Sequence, residues 1–379
     1  MYMNLFDTKF VIDGVEQESS LRELVEACNG PYGSPAAYSC DIPVPENGAI
    51  IDENTDPDLF PLEYGDNDSE KYLNLLLNSD IHGITGLNPG AEARQSIANA
   101  LAKALWHVPA PYMLDSMSVN LEWTWDTEAI GGYASLYRSV AAAADYAFEI
   151  GIRIASCRIT GKPRSSSLAA SCMYVPESDD PVPPVPVVSD NGKDGTRYMA
   201  DSLRLKEQIG ESTILYIPFD TSDAELGGSA LAALLGGKGE STPMMLDPDY
   251  FIDSFEVVKE LKDDGIILAG REIGRGGLLC ALAGLAKSCG IGLEVDILPL
   301  QNAFRCEDAT KILFNEIPGV LLAISDEDYG YIDTQMVLQD VAYYPVGFAT
   351  GGNALKIRHK LNYNVADLLL PLMNRNPNK

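Results

Sequence analysis

Apolar side chains recur every three to four residues over 133–151, where Leu136, Val140, Ala143, Ala147 and Ile150 share one face. That spacing predicts a long amphipathic helix, which Gly151 ends from the position just past its last turn. Ala- and Leu-rich sequence with no Gly or Pro inside predicts a helix over 91–107, and further helices are expected over 250–263 and 278–289. A shorter helix is expected over 20–28. Strict alternation over 112–125 predicts a strand that places Trp123 and Trp125 together on a face packed against a core. Further strands are expected at 9–13, 152–160, 167–175, 212–218, 266–269, 293–298 and 319–325.

These elements arrange the chain into three parts. Residues 1–83 form an N-terminal extension or adaptor, with a loop-rich acidic stretch at 43–70 and helical spacing at 70–78. Residues 84–220 make a first domain carrying a Pro-rich acidic insertion at 176–200, whose composition favours an extended, solvated course. Residues 221–379 make a second domain, in which alternating strands and helices indicate an α/β layer structure.

Composition narrows the chemistry. The chain has 379 residues and a net charge of −28, so it lacks the clustered Lys and Arg that phosphate neutralisation of a nucleic acid needs. Apolar runs are short and broken by Gly, Asp or Lys, well under the ~18 residues of a membrane span. The first ten residues have no basic and apolar signal-peptide pattern, and a cytoplasmic protein is expected. Seven cysteines, none in a C-x-x-C pair, read as reduced and mostly buried thiols; Cys157 and Cys280 lie in apolar surroundings. Three histidines leave little material for a His-based metal centre or a Ser-His-Asp relay; His107 and His359 read as capping or surface residues.

The loops hold the remaining candidates. Gly161-Lys162-Pro163-Arg164 is a tight turn between two strands, and Gly227-Gly228 and Gly274–Gly277 are Gly-rich turns that lead into helices. Such turns expose backbone N–H groups that suit phosphate, and a nearby Lys or Arg adds charge. Asp220, Asp223 and Glu225 precede the first Gly-Gly pair; a solvated loop is the default reading and a cation site the alternative.

In order and spacing, these segments resemble a two-domain unit of the FGAM (phosphoribosylformylglycinamidine) synthase and AIR (aminoimidazole ribonucleotide) synthetase superfamily, over 84–370. The match is to the second synthetase unit of large FGAM synthases. The residues that carry it are the Leu136-Tyr137 pair, Gly161-Lys162, the Glu225-Leu-Gly-Gly-Ser-Ala-Leu-Ala turn, Gly274-Arg-Gly-Gly-Leu-Leu and Phe314-Asn-Glu-Ile-Pro-Gly-Val. The resemblance implies an N-terminal domain whose strands complete a β-barrel with a second copy, plus an α/β C-terminal domain. It also implies ATP and Mg²⁺ for phosphorylating an amide oxygen that ammonia then displaces. Large FGAM synthases have two such units and a glutaminase domain; one unit is read here.

The pattern departs from the family where metal and nucleotide are held. Asn99 and Lys103 stand where the family helix carries a Glu and an Asn. Pro163-Arg164 replaces Asp-Ser, Arg271-Glu272 replaces His-Asp, and Arg275 replaces the Asp of Ser-Asp-Gly-Gly. A Lys or Arg in a magnesium ligand's place opposes the cation. The candidate nucleotide or anion site is therefore Gly161, Lys162, Arg164, Gly227, Gly228, Arg271, Glu272, Arg275, Gly276 and Gly277, with no metal ligand and no catalytic residue assigned. One reading has these cations holding a phosphate without metal, and the other has them pairing with the chain's own carboxylates. The expectation is a catalytically degenerate binding, assembly or structural protein, forming a homodimer or pairing with a related synthetase chain. The alternative is an ATP-dependent FGAM synthase, or a subunit of one.

Overall fold

The computed structural model describes residues 4–30, 33–44, 46, 48–54, 88–106, 114–174, 185–186, 202–234, 242–358 and 361–364. The expected helix at 70–78, nearly all of the Pro-rich insertion, His107 and His359 lie outside them. The chain divides into two compact units.

The first unit contains strands β1 (Lys9–Ile12), β2 (Val15–Glu16), β3 (Ala37–Cys40), β4 (Ala49–Asp52), β5 (Met117–Trp125), β6 (Arg153–Gly161), β7 (Ser167–Tyr174) and β8 (Val185–Pro186). Its helices are α1 (Leu21–Asn29), most of α2 (Pro89–Ala104) and α3 (Gly132–Glu149). Two sheets result, one ordered β2-β1-β4 and the other β3-β6-β5-β7-β8. The alternation in β5 is realised: Met117, Val119, Leu121, Trp123 and Trp125 are all buried. Both indoles find α3, with Trp123 Nε1 donating to Ser139 Oγ at 3.0 Å and Trp125 Nε1 to the Gly132 carbonyl at 2.9 Å. Burying a Trp this way satisfies its one donor while removing its apolar area from water.

Helix α3 begins and ends on glycine. Gly132 packs so closely that a Cβ there would stand 2.4 Å from the Asp126 carbonyl oxygen. At the other end the Ile152 N–H returns to the Ala147 carbonyl at 3.0 Å across Gly151 (φ +73°), a left-handed stop that a side chain would strain. Helix α1 starts with a capping box, Ser20 and Glu23 each accepting from the other's backbone N–H.

Among the described residues, several before 53 bond directly to the elements of this unit. Strand β3 pairs in parallel with β6, Asp52 accepts from Ala134 N at 2.7 Å at the start of α3, and the Tyr137 hydroxyl donates to the Ser19 carbonyl at 3.0 Å. Phe10 packs against Tyr137 at 5.2 Å between ring centres.

The second unit is a seven-stranded sheet, ordered β10 (Ile267–Ile273), β12 (Gly319–Ser325), β9 (Ser212–Pro218), β13 (Tyr344–Thr350), β11 (Gly292–Val295), β14 (Ala354–Ile357) and β15 (Leu361–Asn364). Its helices are α4 (Ser202–Glu207), α5 (Ala230–Leu234), α6 (Pro248–Asp263), α7 (Gly277–Cys289), α8 (Leu298–Ala303), α9 (Ala309–Phe314) and α10 (Tyr329–Leu338). All seven residues of β12 are buried, as a strand covered on both faces requires. Helix α7 is buried nearly all round, from Gly277 through Ala286.

The layer structure is mixed α/β. Within its seven-stranded sheet, β11 and β14 run parallel, while β10, β12, β9, β13 and β11 pair antiparallel in turn. Spatial neighbours such as β9 and β12 are far apart in sequence, and local periodicity carries no information about that pairing. The expected strand at 293–298 stops at Val295, because the chain turns at Ile297 into α8 with Pro299 in its first turn. Among the described residues, no helix is long and apolar enough to cross a membrane.

Candidate functional site

The two Gly-rich turns of the second unit meet at one side chain, Glu316. Helix α9 ends when Asn315 leaves helical geometry and turns its amide back onto the Lys311 and Ile312 carbonyls, at 2.8 and 2.9 Å. The next residue, Glu316, then projects towards the starts of α5 and α7. Its Oε1 accepts from Gly276 N and from Ala230 N, both at 2.8 Å. Its other oxygen lies 3.5 Å from Arg275 Nη1, which also donates to the Gly228 carbonyl at 3.2 Å. Glu316 keeps only 11% of its side chain exposed, whereas Arg275 keeps 58%. A carboxylate at a helix N-terminus is favoured by both the free N–H groups and the helix dipole.

The glycines make this approach possible. Gly276 and Gly277 have φ of +83° and +66°, and a Cβ on Gly277 would lie 2.3 Å from the Asn315 carbonyl oxygen. Gly228 is also left-handed at φ +74°. Nearby, Lys311 pairs with Glu225 at 2.9 Å. Asp220 is no solvated loop residue: it is 2% exposed and accepts from Thr221 N, Ser222 Oγ and Met245 N. Asp223 alone of the three acids is exposed.

Arg271 stands apart from this cluster. Its guanidinium packs on Gly284, where a Cβ would come within 2.3 Å of Cζ, seven residues or about two helical turns along α7 from Gly277. Glu272, next on β10, has one carboxylate oxygen buried without a hydrogen-bond partner among the described residues.

The first unit's turn is closed in the same way. Gly161 N donates to Asp41 at 2.7 Å, Lys162 N to the Trp125 carbonyl at 2.8 Å, and Arg164 N to Asp126 at 2.7 Å, with Arg164 in the left-handed region at φ +59°. Gly161, Lys162 and Arg164 are exposed. The ten sequence candidates therefore divide. Gly228, Arg275, Gly276 and Gly277 come together around Glu316, with Gly227 in the turn just before. Gly161, Lys162 and Arg164 belong to the first unit, and Arg271 and Glu272 sit elsewhere on the second.

Glu316 was absent from those candidates, although Phe314-Asn-Glu-Ile-Pro-Gly-Val had been singled out. Asp41 and Asp126 were missed too. A carboxylate that reaches a turn 40 residues away leaves no local signal.

These residues do not fit magnesium nucleotide at the Gly turns. The Gly276 and Ala230 N–H groups, which would face a phosphate there, already bond the Glu316 carboxylate, and the side chain beside it, Arg275, is cationic. Among the described residues no three His, Cys, Asp or Glu side chains gather as metal ligands. The thiols suit structural roles: burial pushes Cys157 up to about 12, so it stays protonated at neutral pH.

Comparison with known proteins places this geometry in context. Residues 214–360 match the family described as AIR synthase related protein, C-terminal domain. A probable phosphoribosylformylglycinamidine synthase of Arabidopsis thaliana is 25% identical over 277 residues, covering 72% of this chain. This chain is a relative of the FGAM synthase and AIR synthetase superfamily. The PurL subunit of that synthase from Methanocaldococcus jannaschii is 31% identical over 155 residues, 41% of this chain. The chain spans only 18% and 20% of those two proteins. Among solved structures, T. maritima PurL complexed with ATP aligns with a TM-score of 0.46 at 15% identity, covering 74% of this chain and 42% of PurL.

Proposed function

We propose that this chain is an FGAM-synthase-type synthetase unit that works as one part of a larger ATP-dependent amidoligase assembly of purine biosynthesis. Within it, this unit's Gly turns serve as a closed scaffold and carry no magnesium nucleotide. The relationship to FGAM synthases supports the first half. The Glu316 carboxylate, bonded to the starts of both α5 and α7, carries the second. ATP and the amide substrate are then handled on another unit, a second copy or a related synthetase chain, in the cytoplasm.

The test is a thermal melt of the purified chain with and without millimolar Mg-ATP. Native-state binding stabilises by RT ln(1 + [L]/Kd), about 2.7 kcal/mol at a hundredfold excess over Kd, which moves Tm by several degrees. The expected shift is below one degree, within about the scatter of such melts. A shift of several degrees would instead establish the enzymatic reading, with Glu272's unpartnered oxygen as the first residue to examine.

A further inference from the structure

Strand β6 lies next to the end of its sheet, between β5 and the short β3, and its outer side would otherwise offer unpaired backbone groups to any other strand. Asn29 and residues 36–41 meet that side. Asn29 acts as a one-residue strand, its amide accepting from Ile154 N at 2.9 Å and donating to the Ile154 carbonyl at 2.8 Å. Between Ile154 and Ser156 the pairing with β5 slips by one residue, leaving Ala155 as a bulge, and the Ala36 N–H donates to the Ala155 carbonyl at 2.8 Å. Strand β3 then pairs with Ser156 through Ile159. Asp41 finishes the edge: its N–H donates to the Ile159 carbonyl at 3.2 Å and its carboxylate accepts from Gly161 N at 2.7 Å.

The strand is also pinned from outside. The Tyr38 ring meets Phe6 edge-on at 4.9 Å, and the Arg22 guanidinium stacks over it at 4.2 Å while bonding Asp7. We propose that Asn29 and Ala36–Asp41 are an edge strand supplied in cis, which withdraws the β6 edge from intermolecular pairing. Any second sheet, including a second copy of this chain, must then dock on the open face of the sheet or at its β7–β8 side. A short polar edge strand with alternating exposure is a poor template for further pairing, which suits this guarding role. The inference goes beyond the nucleotide question and holds for either outcome of the Mg-ATP melt.

Hydrogen exchange on the full chain tests it. Protection of the 154–161 amides is expected to stay constant across about a hundredfold dilution, whatever happens to the assembly's mass in the same samples. If protection of that strand falls in step with dissociation, a partner covers the edge and the proposal is wrong. A second measurement uses Asn29→Ala and Tyr38→Ala. Each is expected to speed exchange of 154–161 by roughly tenfold or more while α7 amides of the second unit stay unchanged. Unchanged exchange at 154–161 in both variants would also overturn it.

Discussion

The turn at Gly161–Arg164 and the turn at Gly274–Gly277 solve one problem at different depths. Both present backbone N–H groups of the kind that bind phosphate, and both hand them to carboxylates of the same chain. In the first unit the receivers are Asp41 and Asp126 and the loop itself is solvated, so water competes for each contact. In the second unit the receiver is a single, mostly buried Glu316 that serves two helix starts at once. A shared, desolvated carboxylate is worth more than two exposed ones, since removing it strands several donors away from water. The contrast teaches that an acidic chain does not leave its anion-friendly turns vacant; how strongly each is closed depends on burial.

That contrast can be broken by mutation. The largest effect is expected from Gly277→Ala, where a Cβ 2.3 Å from the Asn315 carbonyl meets a left-handed backbone; about 3 kcal/mol should be lost in denaturant unfolding. Glu316→Ala comes next, at about 2 kcal/mol, because Gly276 N and Ala230 N lose their acceptor. Glu316→Gln, which keeps one acceptor oxygen, should recover roughly half of that. If both Glu316 variants unfold like wild type, the buried carboxylate is no strut and the contrast disappears. Asp41→Ala and Asp126→Ala should each cost below about 1 kcal/mol, as exposed contacts do.

The smallest effect concerns pH. The backbone N–H of Ser20 in the capping box holds Glu23 below the usual carboxylate range. Its contribution is therefore present above the unfolded carboxylate's range and is lost as pH falls through the lower folded value. Acid titration should fray α1 before the core melts, and Glu23→Gln should flatten that early phase. A wild-type α1 signal that stays level down to global unfolding would contradict it.

How much of this was legible in advance follows from range. The helices at 133–151, 250–263 and 278–289 and the strands at 212–218 and 319–325 were readable because their apolar periods are local and strong. Strands β3 and β4 went unread. Each is four residues long, and β3 is set by its partner β6 more than by its own alternation. The glycine turns were legible as turns, and the charge reversal at Arg275 and the replacement of a His by Arg271 were visible in the residues. What those cations touch was not visible. Arg275 met Glu316, while Arg271 went to Gly284, two turns up the helix.

Composition and periodicity by themselves determined the major helices and strands, the acidity and the positions of the Gly turns, because each depends on residues within about one turn or one strand of one another. Only the folded chain decided the antiparallel order of the seven-stranded sheet, the cis-supplied edge on β6 and the carboxylate that closes two turns. Those features join residues from 40 to more than 100 positions apart, and their pairing is settled by which groups can be buried and bonded together at once.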